Sequence, residues 1–522
     1  MSETIIQKKG NVITMRVVTP EEMNAADAVM SQKYMMPTSL LMENAGAAVA
    51  TYLSENYSKS AKMLFITGSG NNGGDGWAAA RILYAKGYSV NVLSLCPESK
   101  MRELTLANFK IARQFGINYS VDVTLSELEE KISECSVIVD AILGTGISGE
   151  VNSRTQSVIK LINSSNKNVV SIDVPSGVNA QSGQICGAAV KADALIVLGT
   201  VKQGLLFSPA KYCYAKMIVD SISIPQTVYD ETSDFKAVYS QKEISSMLYV
   251  RDPASHKGSY GKLGIIAGST GMTGAACMCA DAALRAGTGI IQLAVPQRLN
   301  AIFEVKLTEQ MTVPMPDNNF GALISSKELI DFSDNKTALV IGPGLGSASH
   351  ASAFIPEILN VYDKSVVIDA DGINSIVSNP DILKKGNCII TPHIGEMARL
   401  TGKTPEEVSR NQTQIAAEFA KKYNVVVVLK NYVTVIASPD GKIVFNTTGN
   451  CGMATGGSGD VLSGVIGGLC AQGYGRFEAA VIGTFINGFA ADIAVQKTGT
   501  VSLAPTDTIS ALKDAFLRLY SE

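Results

Sequence analysis

Aromatic and charged residues are scarce in this sequence: of 522 residues 6% are aromatic and 17% charged, and Trp77 is the single tryptophan. So few aromatics argue against a base-stacking platform for nucleic acid. Basic and acidic residues, 44 against 47, nearly cancel to a formal net charge of −3. This leaves neither the basic footprint of a nucleic-acid binder nor a polybasic membrane patch. Histidine is limited to His256, His350 and His393, and the nine cysteines contain no CxxC pair. A Cys/His zinc site is therefore not expected. An odd, scattered cysteine set reads as reduced thiols in a reducing compartment. The segment Met1 to Thr19 lacks an apolar h-region, so no signal peptide is expected. The uncharged stretch Val461 to Gly475 is shorter than the roughly 20 residues of a bilayer span. The expectation is a cytoplasmic protein without nucleic-acid or membrane partners.

Apolar residues make up 46% of the chain and there are 47 glycines. One core rarely grows beyond roughly 250–300 residues, so two domains are expected. The strand pattern stops at the polar stretch Pro225 to Ser240, which places the domains at 1–235 and 236–522. Both halves alternate short apolar runs with helical patterns, as expected for α/β domains built on parallel, doubly wound sheets. In the first half the strands read Met63–Thr67, Ser89–Leu95, Val137–Asp140, Val169–Asp173, Ala194–Leu198 and Met217–Asp220. The helices read Pro20–Gln32, Thr38–Tyr57, Trp77–Lys86, Met101–Phe115 and Arg154–Asn163. In the second half the strands read Leu263–Ala267, Ile290–Val295, Ala338–Ile341, Val366–Asp369, Cys388–Thr391 and Val425–Leu429. A hairpin, Thr434–Ala437 to Lys442–Phe445, turns at Asp440-Gly441. The helices there read Gly274–Ala286, Ala351–Leu359, Pro405–Tyr423, Val461–Cys470 and Arg476–Lys497.

The strongest signal of the first half is Gly68-Ser-Gly-Asn-Asn-Gly-Gly-Asp-Gly76, between an apolar strand and a helix expected to start at Trp77. Open α/β sheets bind ligands beyond the carboxyl ends of their strands. Its glycines let backbone N–H groups approach an anion, unless the segment is only a turn. Asp140 and Asp173 end two further parallel strands, leading into Gly144-Thr-Gly146 and Pro175-Ser-Gly177. Each alone could be a cap; three such loops on one edge favour a site. Together with Met42-Glu-Asn-Ala-Gly46, these motifs resemble the NAD(P)H-hydrate epimerase domain from about Thr14 to Pro225. The resemblance implies a Rossmann-like three-layer fold. It places substrate over Asn71, Asn72, Gly73, Gly74 and Asp75, and over Gly144, Thr145, Gly146, Ile147, Ser148, Gly149 and Glu150. It also implies a potassium ion on Asn72, Asp140 and Ser176, with Asp173 in contact with substrate. Epimerisation at C6 of a hydrated nicotinamide needs acid–base groups, and Asp173 is the chosen candidate.

The second half carries Gly268-Ser-Thr-Gly-Met-Thr-Gly-Ala-Ala276, Gly342-Pro-Gly-Leu-Gly346, Thr391-Pro-His-Ile-Gly-Glu396 and the run Asn446 to Asp460. Gly456-Gly-Ser-Gly459 offers an anion hole at a helix start, beside Asp460 as a base for a hydroxyl. The helix dipole is expected to keep Asp460 ionised at neutral pH. Cys451 lacks basic neighbours and takes no catalytic role. From about Tyr239 to Tyr520 this half resembles the ribokinase-like ADP-dependent NAD(P)H-hydrate dehydratase. The resemblance implies that Ala275, Gly344, His393 and Asp460 meet the hydrated dinucleotide. It assigns Lys430, Asn431, Tyr432, Val433, Thr434 and Gly459 to the adenine nucleotide, ADP with Mg2+. Asn431 stands where that family has glycine, and Asn446-Thr-Thr-Gly replaces Asn-Pro-Thr-Gly.

The two resemblances describe one repair sequence. The R and S hydrates of NADH or NADPH (NADHX, NADPHX) are interconverted, and the S form is dehydrated at the expense of ADP. A ribokinase-like small-molecule kinase fused to a binding domain is the alternative, and the chain is expected to form a homo-oligomer.

Overall fold

The computed structural model describes residues 6–8, 14–147, 149–346 and 348–521. The chain folds as two compact units, Met1–Asp234 and Phe235–Glu522, and the division falls inside the polar stretch read from the sequence.

The first unit is built on an all-parallel eight-stranded sheet. Its order is Ile6–Lys8, Tyr214–Asp220, Ala192–Leu198, Asn168–Ile172, Val137–Ala141, Lys62–Thr67, Ser89–Ser94 and Asn118–Val121. The chain runs outward from Lys62–Thr67 and then returns to Val137–Ala141 on its other side. The crevice between these two strand ends is thus the topological switch point, where such sheets bind ligands. A further parallel pair has Val17 opposite Val201 and Val18 opposite Lys202. It sets the start of the Pro20–Gln32 helix beside Lys202.

The second unit places seven parallel strands side by side. Their order is Met311–Met315, Ile290–Pro296, Lys262–Ile266, Ala338–Ile341, Ser365–Ile368, Cys388–Ile390 and Val426–Leu429. The antiparallel hairpin Thr434–Ala437 and Ile443–Asn446 extends the sheet. Lys236–Val238 follows it, parallel to Ile443–Asn446. Here the switch point lies between Lys262–Ile266 and Ala338–Ile341.

Several elements differ from the sequence reading. The helix expected at Trp77 begins at Asn71, so the Asn-Asn-Gly-Gly-Asp run is helix rather than loop. The helix expected at Val461 begins at Ser458, which puts Asp460 in its first turn. The Pro405–Tyr423 helix is two helices broken at Asn411, whose φ is −123°. The Arg476–Thr498 helix is long and apolar enough to span a bilayer, but 78% of its apolar window is buried inside the fold, as in a core helix.

Candidate active sites

In the first unit a cavity of about 940 Å3 opens at the switch point. Asn71, Asn72, Asp75, Gly144 to Ile147, Gly149, Glu150 and Asp173, all assigned to the substrate by the resemblance, line it. Ser148 lies outside the described residues. Gly73 and Gly74 do not line the cavity. A Cβ on Gly73 would stand 2.1 Å from the Gly68 carbonyl oxygen, and one on Gly74 would stand 2.6 Å from Met42 Sδ. Their N–H groups bond to the Gly70 carbonyl. These glycines therefore let the helix approach its neighbours rather than cradle an anion. The N–H groups of Asn71 and Asn72 precede the first helical bond, from Gly73, and face the anion-favouring end of the helix. We expect Gly73→Ala to destabilise the first unit by about 1–3 kcal/mol in a chemical melt, through overpacking.

Behind the cavity wall sits a fully buried carboxylate, Asp140. It accepts hydrogen bonds from Ser171 Oγ (2.8 Å), Ser176 N (2.9 Å), Ser176 Oγ (2.5 Å) and Ile142 N (3.3 Å). All of these donors are neutral. Burial pushes the Asp140 carboxyl up, and the Ser176 and Ser171 bonds oppose that rise. Asn72 donates to the Leu143 carbonyl at 2.8 Å, while its Oδ1 is buried with no hydrogen-bond partner among the described residues. Ser176 Oγ lies 3.2 Å from the same carbonyl.

Asp173 sits just past its strand with a left-handed φ of +64°. Its Oδ1 accepts from Leu198 N at 3.1 Å and from the ammonium of Lys202. Lys202, 1% exposed, also donates to the Leu198 carbonyl at 2.6 Å. The expected acid–base residue is therefore already committed to a buried ion pair. Asp27 and Asp75 share the cavity with that pair. Burial pushes Asp75 well up, with the charges of Asp173 and Asp27 adding to it. Burial also raises Asp27 to about 6, with Lys202 opposing and Asp173 adding.

In the second unit the strand ends bring Asp369, Lys430, Asp460 and His393 together. Lys430 Nζ donates to Asp369 Oδ1 at 3.0 Å, and Thr391 Oγ1 donates to the same oxygen at 2.7 Å. A Cβ on Gly459 would stand 3.3 Å from Lys430 Nζ and 3.7 Å from Asp369 Oδ2. The N–H groups of Gly459 and Asp460 precede the first helical bond, from Val461 to the Gly457 carbonyl. Gly457, at φ +103°, makes the sharp entry possible. Burial, then Asp369 and Asp371, raise Asp460 to about 7 against the pull of Lys430. This corrects the expectation of a fully ionised Asp460: desolvation and two like charges outweigh the helix dipole.

His393 caps the Ile394–Thr401 helix. Its Nδ1 accepts from Gly395 N (2.9 Å) and Glu396 N (3.3 Å), while Glu396 Oε2 accepts from His393 N at 2.7 Å. With Nδ1 occupied, the proton of the neutral ring is on Nε2. Burial, Lys430 and Arg399 hold the ring below the usual histidine range. His393 thus offers a hydrogen-bond donor, not a base. Gly344 and Ala275 do meet: a Cβ on Gly344 would stand 3.1 Å from Ala275 Cβ. Among the residues assigned to the nucleotide, Asn431 and Tyr432 are exposed and Val433 is buried in the core. Thr434 starts the next strand, and Lys430 turns toward Asp369. Asn431 is not among the residues with left-handed backbone, so this position does not demand glycine.

Both halves of the chain match known families. Residues 38–204 match the YjeF-related protein N-terminus, and residues 263–514 match NAD(P)H-hydrate dehydratase. The bifunctional NAD(P)H-hydrate repair enzyme Nnr of Moorella thermoacetica is 34% identical over 520 residues, covering 97% of this chain and 98% of the relative. The Escherichia coli enzyme of the same name is 34% identical over 473 residues, covering 91% and 88%. The chain belongs to the bifunctional NAD(P)H-hydrate repair enzyme family. A solved structure of ADP/ATP-dependent NAD(P)H-hydrate dehydratase from Bacillus subtilis, co-crystallized with ATP/Mg2+, is 27% identical. It covers 54% of this chain and 98% of its own, with a TM-score of 0.46.

A member of this repair family needs proton-transferring groups in both halves, and the sequence reading missed several candidates. Asp27 had a readable signal. It lies four residues after Met23 and three before Met30, both buried, so a carboxyl sits on the apolar stripe of its helix. Lys202 and Asp369 were less legible, because a lone charge at a strand end gives no hint of its partner. The potassium set fits the geometry: the orphaned Asn72 Oδ1, the neutral surroundings of Asp140 and the Ser176 hydroxyl are oxygen donors gathered around Leu143. Magnesium differs, since among the described residues no group of three or more His, Cys, Asp or Glu could hold a metal ion.

Proposed function

We propose that the cavity of the first unit epimerises the R and S hydrates of NADH and NADPH, and that the second unit dehydrates the S-epimer with ADP. The products are the reduced dinucleotide, AMP and phosphate. The observation that carries this reading is that each sheet gathers ionisable side chains at its strand ends, Asp173 with Lys202 in one and Asp369 with Lys430, beside the helix head that carries Asp460, in the other.

In the first unit the helix head at Asn71 and Asn72, with Arg102 on the same cavity wall, suits the anionic part of a dinucleotide. Asp173 contacts the substrate as a fixed carboxylate that steadies positive charge at the reacting carbon. Asn72, Asp140 and Ser176 would hold potassium, which would supply positive charge beside the buried Asp140 carboxylate. Transfer from potassium to choline buffer is expected to lower the melting temperature of the full chain and slow epimerisation, with dehydration of the pure S-epimer unchanged. A melting curve indifferent to potassium would remove the ion from the site.

In the second unit hydroxide leaves C6 of the hydrate poorly, whereas phosphate leaves well. Asp460 takes the proton of the C6 hydroxyl as phosphate is transferred from ADP, and elimination of phosphate restores the ring double bond. The Gly459 and Asp460 N–H groups and the Lys430 ammonium face the moving charge. Magnesium would enter with the nucleotide and supply charge to its phosphates, since no group of three or more His, Cys, Asp or Glu among the described residues could hold it. Gly344, Ala275 and His393 line the hydrate, and Asn431 and Tyr432 lie toward the nucleotide. We further propose a homo-oligomer working in the cytoplasm. Incubation of the chain with hydrated NADH, ADP and Mg2+ should restore the absorbance of reduced nicotinamide. A stable phosphorylated product without that absorbance would identify a kinase instead.

A further inference from the structure

Five carboxyl groups line the cavity of the first unit: Glu21 and Glu150 are exposed, whereas Asp27, Asp75 and Asp173 lie deeper and are held differently. Asp173 is fixed by the Lys202 ammonium and the Leu198 N–H. These two donors hold the Asp173 side chain in one place, so it is not free to follow a reacting group. Asp75 is 9% exposed, lines the cavity and has no hydrogen-bond partner among the described residues. Burial pushes this unpaired carboxyl well above the usual carboxylate range, with Asp173 and Asp27 adding to the rise.

Asp27 stands between these extremes. It is half-buried on the Pro20–Gln32 helix, lines the same cavity, and has no hydrogen-bond partner among the described residues. The pairing of Val18 with Lys202 brings the start of its helix beside the Lys202–Asp173 pair. Burial and Asp173 raise the carboxyl to about 6 against the pull of Lys202, so both protonation states are accessible near neutral pH. The cluster thus contains one carboxylate held by an ion pair, one deeply buried carboxyl and one half-buried carboxyl without a hydrogen-bond partner among the described residues, which is the one placed to move a proton.

Resting on the reading of this unit as the epimerase half, we propose that Asp27 is a catalytic residue that exchanges the proton of the C6 hydroxyl. In the forward step the Asp27 carboxylic acid gives its proton to that hydroxyl. The C6–O bond breaks, its electron pair leaving with water, and the N1 lone pair forms an N1–C6 double bond. The resulting cation faces the Asp173 and Asp27 carboxylates. Water then adds to the opposite face of C6, and the double-bond pair returns to N1. The adding water loses its proton to solvent on that face, and the Asp27 carboxylate takes up a proton from solvent to restore the acid. No atom is gained or lost, and no oxidant or reductant is required.

The test follows interconversion of separated R and S hydrates of NADH by the full chain without ADP, so that dehydration is silent. Asp27→Asn keeps the side-chain size and should lower kcat by about 100-fold or more, with KM changed less than about 3-fold. In Asp27→Ala, added formate should restore turnover in proportion to its concentration, which a merely structural role would not produce. A loss below about 10-fold in Asp27→Asn, or no rescue of Asp27→Ala by formate, overturns the proposal. If Asp27→Asn fails to fold, the formate titration of Asp27→Ala decides alone. A wild-type chain that does not interconvert the epimers above the rate in buffer overturns the epimerase reading itself, and the proposal with it.

Discussion

Asp460→Asn is expected to cut ADP-dependent dehydration by about 100-fold or more while nucleotide binding persists, since loss of a general base costs about 100- to 10,000-fold. The expectation rests on position: Asp460 lies in the first turn of the Ser458–Ala471 helix, beside the free N–H groups at its head. The pH dependence follows from the raised carboxyl. A base must be ionised to act, so wild-type turnover should climb as pH rises through about 7. Lys430 pulls Asp460 down, so Lys430→Met should shift that climb to higher pH. Stability moves in the opposite sense. A folded-state carboxyl raised above its unfolded value binds protons more tightly when folded, and that contribution is lost as pH rises toward about 7. Asp460→Asn should therefore melt at a progressively higher temperature than wild type between about pH 4 and 7. Equal dehydration rates in the two proteins would remove Asp460 from the chemistry. His393 would not replace it, because its Nδ1 already accepts two backbone N–H groups.

The strand ends that carry this chemistry were legible because buried parallel strands read as continuous apolar runs. Val137 to Asp140 and Ala338 to Ile341 were found this way. The edge strands were not legible. Asn118–Val121 is exposed throughout, and Met311–Met315 contains Pro314, which is tolerated at an edge but masks the strand pattern. Helix starts were misplaced where glycine lowers local propensity and packing overrides it. Gly76 makes the point: a Cβ there would stand 2.6 Å from Ala141 Cβ, so the helix lies against the sheet. The motif glycines lie beside the cavity, but Gly73, Gly74 and Gly76 serve close packing rather than anion binding. Pairings such as Lys202 with Asp173 join residues far apart in sequence, and only the fold brings them together.

That pair carries the second large effect. Asp173→Ala should destabilise the first unit by about 3–5 kcal/mol, the usual cost of leaving one member of a buried ion pair without its partner. Lys202 has side-chain exposure of 1%, so its ammonium has little access to water once the carboxylate is gone. The Leu198 carbonyl would remain its acceptor, and a single neutral acceptor does not balance a buried charge. Replacing both members, Asp173→Asn with Lys202→Met, removes the charge as well as its partner and should recover most of the stability. The activities should separate from the stabilities. At a temperature where Asp173→Ala stays folded, epimerisation should be impaired and dehydration of pure S-epimer spared, because Asp173 lines the cavity of the first unit. In the double variant, recovered folding without recovered epimerisation would identify Asp173 as a substrate contact as well as a structural partner. If folded Asp173→Ala also loses dehydration of the S-epimer, the assignment of the two activities to separate units fails.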